Sequence, residues 1–372
     1  MTRSPEPDLP RVSVVMPVYN SERYIEEALR SILDQDYRDF ELLLVDDGST
    51  DRSREIAEAH AARDARIRIL GHERNRGVSA ANNTGIAAAR GEYIARMDSD
   101  DKAMPGRLRR QVAALDSDPA IVLVTCDFLM VDDASGLPIR TVRIHEPPEV
   151  ISWLLLFGNG IGGHGQVMLR GSVVRELGGY SNRFEASEDY ELWTRLVERG
   201  RFAALGFVGM HYRVHGNAVS LQKRSTQIES SKHVSRSALQ RHLGRPLAEA
   251  EINASAHLWQ GLLQPRAGAA ADRIVREAYE SFAAPSPRVR RRMRVTVGRR
   301  FFMTAMLLAA RGRLFDAADH VLRGLAWQPL GGFEAIRVLG ELTRFAVLRR
   351  LARRSQSDTS GAVRRFLHRG PF

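Results

Sequence analysis

Two stretches decide the fold: Val12-Ser13-Val14-Val15-Met16-Pro17-Val18-Tyr19-Asn20 and Leu42-Leu43-Leu44-Val45-Asp46-Asp47-Gly48-Ser49-Thr50-Asp51. Each is a near-continuous apolar run that stops at turn-forming residues, and residues 21–33 between them carry Ile, Leu and Ala at helical spacing. Apolar strands joined by amphipathic helices signal a mainly parallel sheet covered on both faces. Working outward, strands are predicted at 12–18, 41–45, 67–70, 93–97 and 121–124, and helices at 21–33, 51–63, 79–90 and 107–115, several opened by Ser or Asp as N-caps. This first part reads as α/β, with ligands expected at the carboxyl ends of the strands.

After Pro138 the pattern loosens and loops dominate: a Gly-rich stretch at 158–165, a short strand at 166–170, Gly178-Gly179-Tyr180, and a helix at 188–199. A last strand-like piece ends in Tyr212-Arg213-Val214-His215-Gly216-Asn217. Beyond 225 the chain reads as helices separated by Pro265, Pro285, Pro287 and Pro329. The expected organisation is a disordered N-terminus at 1–10, an α/β domain at 11–225, a basic helical domain at 226–354 and a flexible tail at 355–372.

The 372 residues are 44% hydrophobic and 27% charged, a globular composition. One cysteine, Cys126, excludes an internal disulfide or a multi-cysteine metal site. The longest nearly unbroken apolar run, 301–310, is half of the ~20 residues a spanning helix needs, and the N-terminus lacks the basic start and apolar stretch of a secretion signal. A cytoplasmic protein is expected. Net charge is +11, unevenly spread: 29 basic against 33 acidic residues in 1–225, then 26 against 11 in 226–372. The basic half suits phosphate-bearing partners.

Three acidic strings stand out. Asp46 and Asp47 sit at a strand's carboxyl end, where Ser49, Thr50 or Asp51 as caps of an ordinary strand-turn-helix junction explain much of the string equally well. Two adjacent aspartates still need a donor, which a nucleotide base or ribose would supply. Asp98-Ser99-Asp100-Asp101 follows the fourth strand. Alone it reads as a solvated acidic turn; beside Asp46 and Asp47 it suits a divalent cation, magnesium or manganese, bridging a diphosphate. Ser187-Glu188-Asp189-Tyr190 opens a helix, and acids there with Ser187 as N-cap are good local design; the functional reading is a general base. His215 could ligate the metal or touch a phosphate, and Arg213 could do the latter, although a lone loop histidine is usually neither. His164 lies among glycines whose backbone can approach a ligand, with an incidental surface residue the equal alternative.

Taken together, VSVVMPVYN, LLLVDDGSTDRS, NRGVSAANNTGI, GEYIARMDSDD, GGY, SEDYELWTRL and YRVHGN, in this order, resemble a bacterial family-two inverting glycosyltransferase over roughly residues 11–225. The resemblance implies the GT-A fold, a Rossmann-like mixed sheet, here followed by an α-helical C-terminal domain. It implies transfer from a nucleotide-diphospho-sugar, with a UDP-sugar as the expected donor and Mn2+ or Mg2+ as cofactor. Pro17 and Tyr19 would line the nucleoside pocket with Asp46, and Asp47 would bond the base. Asp98 and Arg213 would lie near the donor. Asp100 would be the principal metal ligand, with Asp98, Asp101 and His215 around it. Asp189 would be the catalytic base, and His164 and Glu188 would face the acceptor or donor sugar. Where the family has Ala-Arg-Asn, this chain has Ala81-Asn82-Asn83, so Asn82 stands in place of an arginine near the donor phosphates. The Gln-x-x-Arg-Trp string of processive synthases is absent, which implies a single hexosyl transfer to a cell-envelope, lipid-linked or exopolysaccharide acceptor.

The arginine runs at 288–294, 299–300 and 349–354 suit an anionic membrane surface, which would put the protein on the inner face of the cell membrane; a solvated face of a helical domain is the equal alternative. Residues 309–318 followed by Trp327 also resemble one tetratricopeptide-like hairpin, and one unit is not an array. Two other function classes stand beside the enzyme. A non-catalytic nucleotide-sugar-binding protein recruited by its basic tail has no need of Asp100 and Asp189 together. A nucleic-acid-associated protein is disfavoured by the acidic first half and its lack of an aromatic stacking platform.

Overall fold

The computed structural model describes residues 9–144, 146–216, 223–264 and 266–328. Their elements are β1 (Val12–Val18), α1 (Ile25–Leu33), β2 (Phe40–Asp46), α2 (Ser53–Ala61), β3 (Ile67–Gly71), α3 (Val78–Ala88), β4 (Tyr93–Arg96), β5 (Lys102–Ala103), α4 (Arg107–Ser117), β6 (Ile121–Asp132), β7 (Pro138–Val142), α5 (Pro148–Leu154), β8 (Met168–Arg170), α6 (Gly171–Glu176), α7 (Glu188–Leu196) and β9 (Arg201–Val214). The helices α8 (Arg224–Leu243), α9 (Glu249–Trp259), α10 (Gly268–Ser281), α11 (Pro287–Ala310) and α12 (Leu314–Trp327) complete the order. The described residues fall into two compact units, one up to 155 together with 159–234, the other 156–158 together with 235 onward.

The first unit is built on one mixed sheet in the order β3-β2-β1-β4-β8-β6-β9-β5, with β7 paired to β6. β1 pairs in parallel with β2 on one side and β4 on the other, and β2 with β3. β8 is antiparallel to both β4 and β6, while β6 and β9 run parallel with register shifts. Every residue of β2 is buried, which is why Leu42 to Val45 show no polar alternation. α1 buries Ile25, Ala28, Leu29 and Ile32, the i, i+3, i+4, i+7 face that its sequence spacing predicts. Each of the Ile and Leu side chains contributes about 1.5–3 kcal/mol when fully buried. This arrangement aims the carboxyl ends of β1, β2 and β4 the same way.

Several sequence expectations shift. α1 starts at Ile25, not 21, because Ser21 opens a turn that accepts the Tyr24 and Ile25 N–H groups at 2.8 and 2.9 Å. β6 runs on through the polar Thr125 and Asp127, since Asp127 is buried and accepts the Ile144 N–H at 2.8 Å. The loop-rich stretch holds β7, α5 and α6. Ser187 occupies the N-cap position of α7 without capping it; its hydroxyl donates to the Gln227 carbonyl at 3.2 Å and lies 2.9 Å from the Ser231 hydroxyl.

In the second unit α11 and α12 form a helical hairpin around Phe302, Ala305, Leu308, Ala317 and Val321. A Cβ on Gly298 would lie 3.1 Å from the Gly324 carbonyl oxygen, so these glycines let the two backbones close together. The arginine runs at 288–294 and 299–300 lie on α11, whereas 349–354 and the 355–372 tail lie outside the described residues. Among the described residues no helix is long and apolar enough to cross a membrane.

Candidate active site

The loop after β1 is stitched to the loop after β2. Asn20 sits in the left-handed region at φ 48°, which its short polar side chain tolerates. Its Oδ1 accepts from the Thr50 N–H at 2.8 Å, and its own N–H donates to Ser49 Oγ at 3.1 Å. Asp51 accepts from the Glu22 and Ser53 N–H groups, both at 2.9 Å. Ser21 Oγ lies 2.7 Å from Ser99 Oγ, tying this pair of loops to the acidic turn after β4. Pro17 is half-buried here and Tyr19 is 47% exposed, a free ring at the mouth of β1.

Asp46 and Asp47 have hydrogen-bond donors within the chain. Asp46 Oδ1 accepts the Ser49 N–H at 3.0 Å, and Oδ2 lies 3.6 Å from Arg54. Asp47 Oδ1 takes the Arg76 N–H at 2.9 Å and meets His72 Nδ1 at 2.6 Å, while Oδ2 takes the Gly77 N–H at 2.8 Å. His72 Nε2 continues to Thr84 Oγ1 at 2.9 Å. Asp47 therefore fastens the start of α3 and keeps one of its four lone-pair positions. On that helix Asn82 is 1% exposed, and neither its Oδ1 nor its Nδ2 has a hydrogen-bond partner.

At the end of β4, Asp98 pairs with the buried Arg96. Arg96 is anchored in turn by the fully buried Arg107, whose Nη2 donates to the Arg96 carbonyl at 2.6 Å, and its own Nε has no hydrogen-bond partner. Asp100 Oδ2 lies 3.0 Å from His215 Nε2, and His215 Nδ1 is buried without a partner. Asp101 accepts the Arg213 N–H on Oδ1 at 2.9 Å; its Oδ2 is buried and unpartnered. Burial pushes the Asp98 carboxyl up, with the Asp100 charge adding and Arg96 opposing. Burial and the charges of Asp100 and Asp98 push Asp101 well above the carboxylate range. Burial and mutual repulsion thus disfavour full ionisation of the turn in the free protein.

Arg213 has its guanidinium engaged within the chain, beside the acidic turn. Its Nε donates to the Asp100 carbonyl at 2.9 Å, its Nη2 to Glu27 at 2.7 Å, and its Nη1 lies 3.6 Å from Asp133. A guanidinium between two carboxylates with its plane over Tyr24 at 5.1 Å fixes the acidic turn from behind.

Asp189, in the first turn of α7, is half-buried; its Oδ1 accepts the Tyr190 N–H at 2.6 Å and its Oδ2 the Asn159 Nδ2 at 2.9 Å. Burial, then the charge of Glu188, raises its pKa to about 7 against these two bonds. Glu188 is also buried and pushed up. Asn159 Nδ2 donates to the Gly162 carbonyl at 2.9 Å as well, so it shapes the glycine-rich loop. His164 on that loop meets Tyr180 OH at 2.8 Å and stacks edgewise on Tyr180 and Trp193; burial and then the Arg96 charge hold it neutral, well below the usual histidine range. Tyr180 is clasped through its backbone by both amide atoms of Asn83 at 2.8 Å. At Gly165 a Cβ would lie 2.8 Å from Asp98 Oδ2 and 3.3 Å from Asp101 Oδ2.

The 158–165 loop thus links the Asp189 carboxylate to the 98–101 turn, and Tyr180 links it to α3. Arg96, Asn159, Tyr180 and His72 were given no role from the sequence; Arg96 carried a signal, a cation closing an otherwise apolar strand and itself 3% exposed. Among the described residues no three His, Cys, Asp or Glu side chains form a ready-made metal cage.

The model of the family described as glycosyl transferase family 2 matches residues 13–173. EpsE of Bacillus subtilis strain 168, classed as a glycosyltransferase, is 35% identical over 219 residues, 58% of this chain and 77% of that protein. TuaG of the same organism, classed with teichuronic acid biosynthesis, is 32% identical over 216 residues, 58% of this chain and 83% of that protein. Among solved structures, S. aureus TarS 1–349 in complex with UDP-GlcNAc superposes with a TM-score of 0.53 at 18% identity, covering 86% of this chain and 92% of that one. The Pyrobaculum calidifontis mannosyltransferase PcManGT with GDP-Man and Mn2+ gives 0.51 at 19% identity, with 86% of each chain covered.

Proposed function

The chain belongs to glycosyltransferase family 2, and from that premise we propose that it moves one sugar, with inversion, from a nucleotide-diphospho-sugar to a hydroxyl of a cell-envelope glycan or lipid-linked intermediate. The observation that carries the reading is the shared loop: Asn159 holds Asp189, and Gly165, six residues on, borders Asp98 and Asp101. A carboxylate with a pKa raised to about 7 stands across that loop from the acidic turn. A general base works best with a pKa near the operating pH.

In the proposed reaction an Asp189 oxygen takes the proton of the acceptor hydroxyl as its oxygen attacks the anomeric carbon. The new carbon–oxygen bond forms on the face opposite the diphosphate. The bond from the anomeric carbon to the diphosphate oxygen breaks, and the nucleoside diphosphate departs with the electron pair. Asn159 keeps the carboxylate oriented, and Asp189 then returns its proton to water. Pro17, Tyr19 and Asp46 line the nucleoside side, Asp47 offers its remaining lone pair to the base, and the unpartnered amide of Asn82 faces the donor. His164 and Glu188 border the sugar and acceptor, and Arg213 keeps the turn in place.

A divalent ion, manganese or magnesium, fits the 98–101 turn. Such ions take one or two protein carboxylates together with substrate phosphates and water, and the orphaned Asp101 Oδ2 and the Asp100–His215 pair offer oxygen and imidazole ligands. Asp100 and His215 would hold it, flanked by Asp98 and Asp101. Bound there, the ion supplies positive charge to the leaving diphosphate.

A UDP-sugar is the proposed donor, in line with the UDP-GlcNAc bound to TarS, and an envelope acceptor is in line with the role for which TuaG is named. The arginines of the second unit are proposed to meet an anionic membrane surface. A panel of nucleotide sugars screened with manganese for thermal stabilisation tests the donor, since a ligand that binds only the folded state raises the melting temperature. No stabilisation by any nucleotide sugar would overturn this reading.

A further inference from the structure

The start of α11 carries Arg288, Arg290, Arg291, Arg292 and Arg294 within seven residues. Arg290, Arg291 and Arg294 line a cavity of about 700 Å³, within the range of small-ligand pockets, and no Asp or Glu lines it. Its other walls include Pro285, Pro287, Val295 and the edge-to-face pair of Tyr279 and Trp327, whose ring centres are 5.2 Å apart.

The three arginines divide the work. Arg290 donates to the Tyr279 and Phe282 carbonyls, both at 3.2 Å, which closes the end of α10. Arg294 Nε donates to the Trp327 carbonyl at 3.1 Å, and among the described residues its terminal amino groups have no hydrogen-bond partner. Arg291 is exposed, and among the described residues neither it nor Arg294 has a carboxylate partner. Like charges one helical turn apart repel, and a bound anion would reverse that cost. The guanidinium fork matches phosphate oxygens.

We infer that this pocket binds a phosphate ester bearing an apolar group, with the phosphate on Arg291 and Arg294 and the apolar part against the proline, valine and aromatic wall. Such an ester is either a lipid headgroup or a soluble metabolite. The inference stands apart from the transferase reading, because none of these residues belongs to the proposed catalytic machinery.

The test uses the full chain and titration calorimetry with dihexanoyl phosphatidic acid below its micelle concentration, with inorganic phosphate alone, and with the variants Arg291→Glu and Arg291→Ala/Arg294→Ala. Circular dichroism melts check that the variants fold, and Arg291→Glu, at an exposed position, keeps the test alive if the double variant does not. Saturable binding of the ester is expected, at least tenfold weaker in either variant and at least tenfold weaker for inorganic phosphate. Equal binding by folded variants, equal affinity for bare phosphate, or no saturable binding overturns the inference. Sedimentation with phosphatidylcholine vesicles, with and without phosphatidic acid, separates the sources. Arginine-dependent sedimentation supports the lipid, and ester binding without sedimentation supports the metabolite.

Discussion

Asn159 Nδ2 lies 2.9 Å from Asp189 Oδ2 and 2.9 Å from the Gly162 carbonyl oxygen. One amide group therefore fixes both the carboxylate proposed as the base and the loop that covers it, and it favours the charged form of that carboxylate.

The first prediction concerns pH. Burial and Glu188 raise Asp189 to about 7, so transfer should rise with pH through that value and fall below it. Asn159→Ala removes a bond to the charged form and should move this limb upward. Asp189→Asn should lower transfer by about 10²–10⁴-fold with donor binding intact. The same shift has a stability sign. The folded pKa lies above the unfolded ~3.9, so the group favours folding below that value and loses its contribution as pH rises through about 7. Asp189→Asn should raise the melting temperature at pH 8 relative to its effect at pH 5. A flat rate profile from pH 6 to 8 would remove Asp189 from the reaction.

A second prediction addresses the ion. Transfer should stop in excess chelator and return with manganese, and Asp100→Ala should abolish both the activity and its metal dependence. His215→Ala should raise the manganese concentration needed for half-maximal rate. Full turnover in chelator contradicts the assignment.

Asp47 offers a third. Asp47→Ala takes the acceptor from the Arg76 N–H and leaves the Gly77 N–H only its 3.1 Å bond to Asn75 Oδ1, at about 0.5–1.5 kcal/mol for each hydrogen bond lost. Urea melts should show the loss, and the donor KM should rise as the 72–77 loop loosens. If stability holds and only KM changes, Asp47 serves the ligand alone.

Asn82 should behave in the opposite way. Asn82→Leu removes two unpartnered polar atoms from a site 1% exposed. The free protein should gain about 1 kcal/mol or more, since such groups pay desolvation without a bond, while donor affinity falls. An unchanged donor KM would show that the amide meets no ligand.

The second unit supplies a fifth prediction. His257 Nδ1 accepts the Gln264 N–H at 2.9 Å, and His320 Nδ1 donates to the Asp316 carbonyl at 2.7 Å. This leaves His257 Nε2–H to donate to His320 Nε2 at 2.8 Å, with both rings neutral and buried. Burial, with the neighbouring ring adding, lowers His257 to about 4, and burial lowers His320. The unfolded chain then binds more protons between pH 6.5 and 4, and stability should fall across that window by ~3 kcal/mol for His257 alone. Equilibrium melts of the wild type and His320→Phe between pH 4 and 8 check this; equal slopes would contradict it.

The parallel core was legible because β1, β2 and β4 are buried on both faces, and burial writes itself as mostly apolar runs with little polar alternation. β7 was not, because it is a half-exposed edge with no apolar face to read. α5 hid behind Pro147-Pro148, although Pro at a first helical position is well tolerated. At the site, the acidic clusters announced themselves by charge. Their partners did not: the Arg76 and Gly77 N–H groups that hold Asp47 are backbone, which has no sequence signature, and Asn159 lies 30 residues from Asp189.

Gly165 carries one more consequence. A methyl group there would press on Asp98 Oδ2 at 2.8 Å and Met210 Sδ at 2.9 Å, so the backbone at this point sits against the acidic turn with no space for a side chain. Any larger residue at 165 must displace those side chains, so the close approach of this loop to the carboxylates after β4 depends on a missing methyl group.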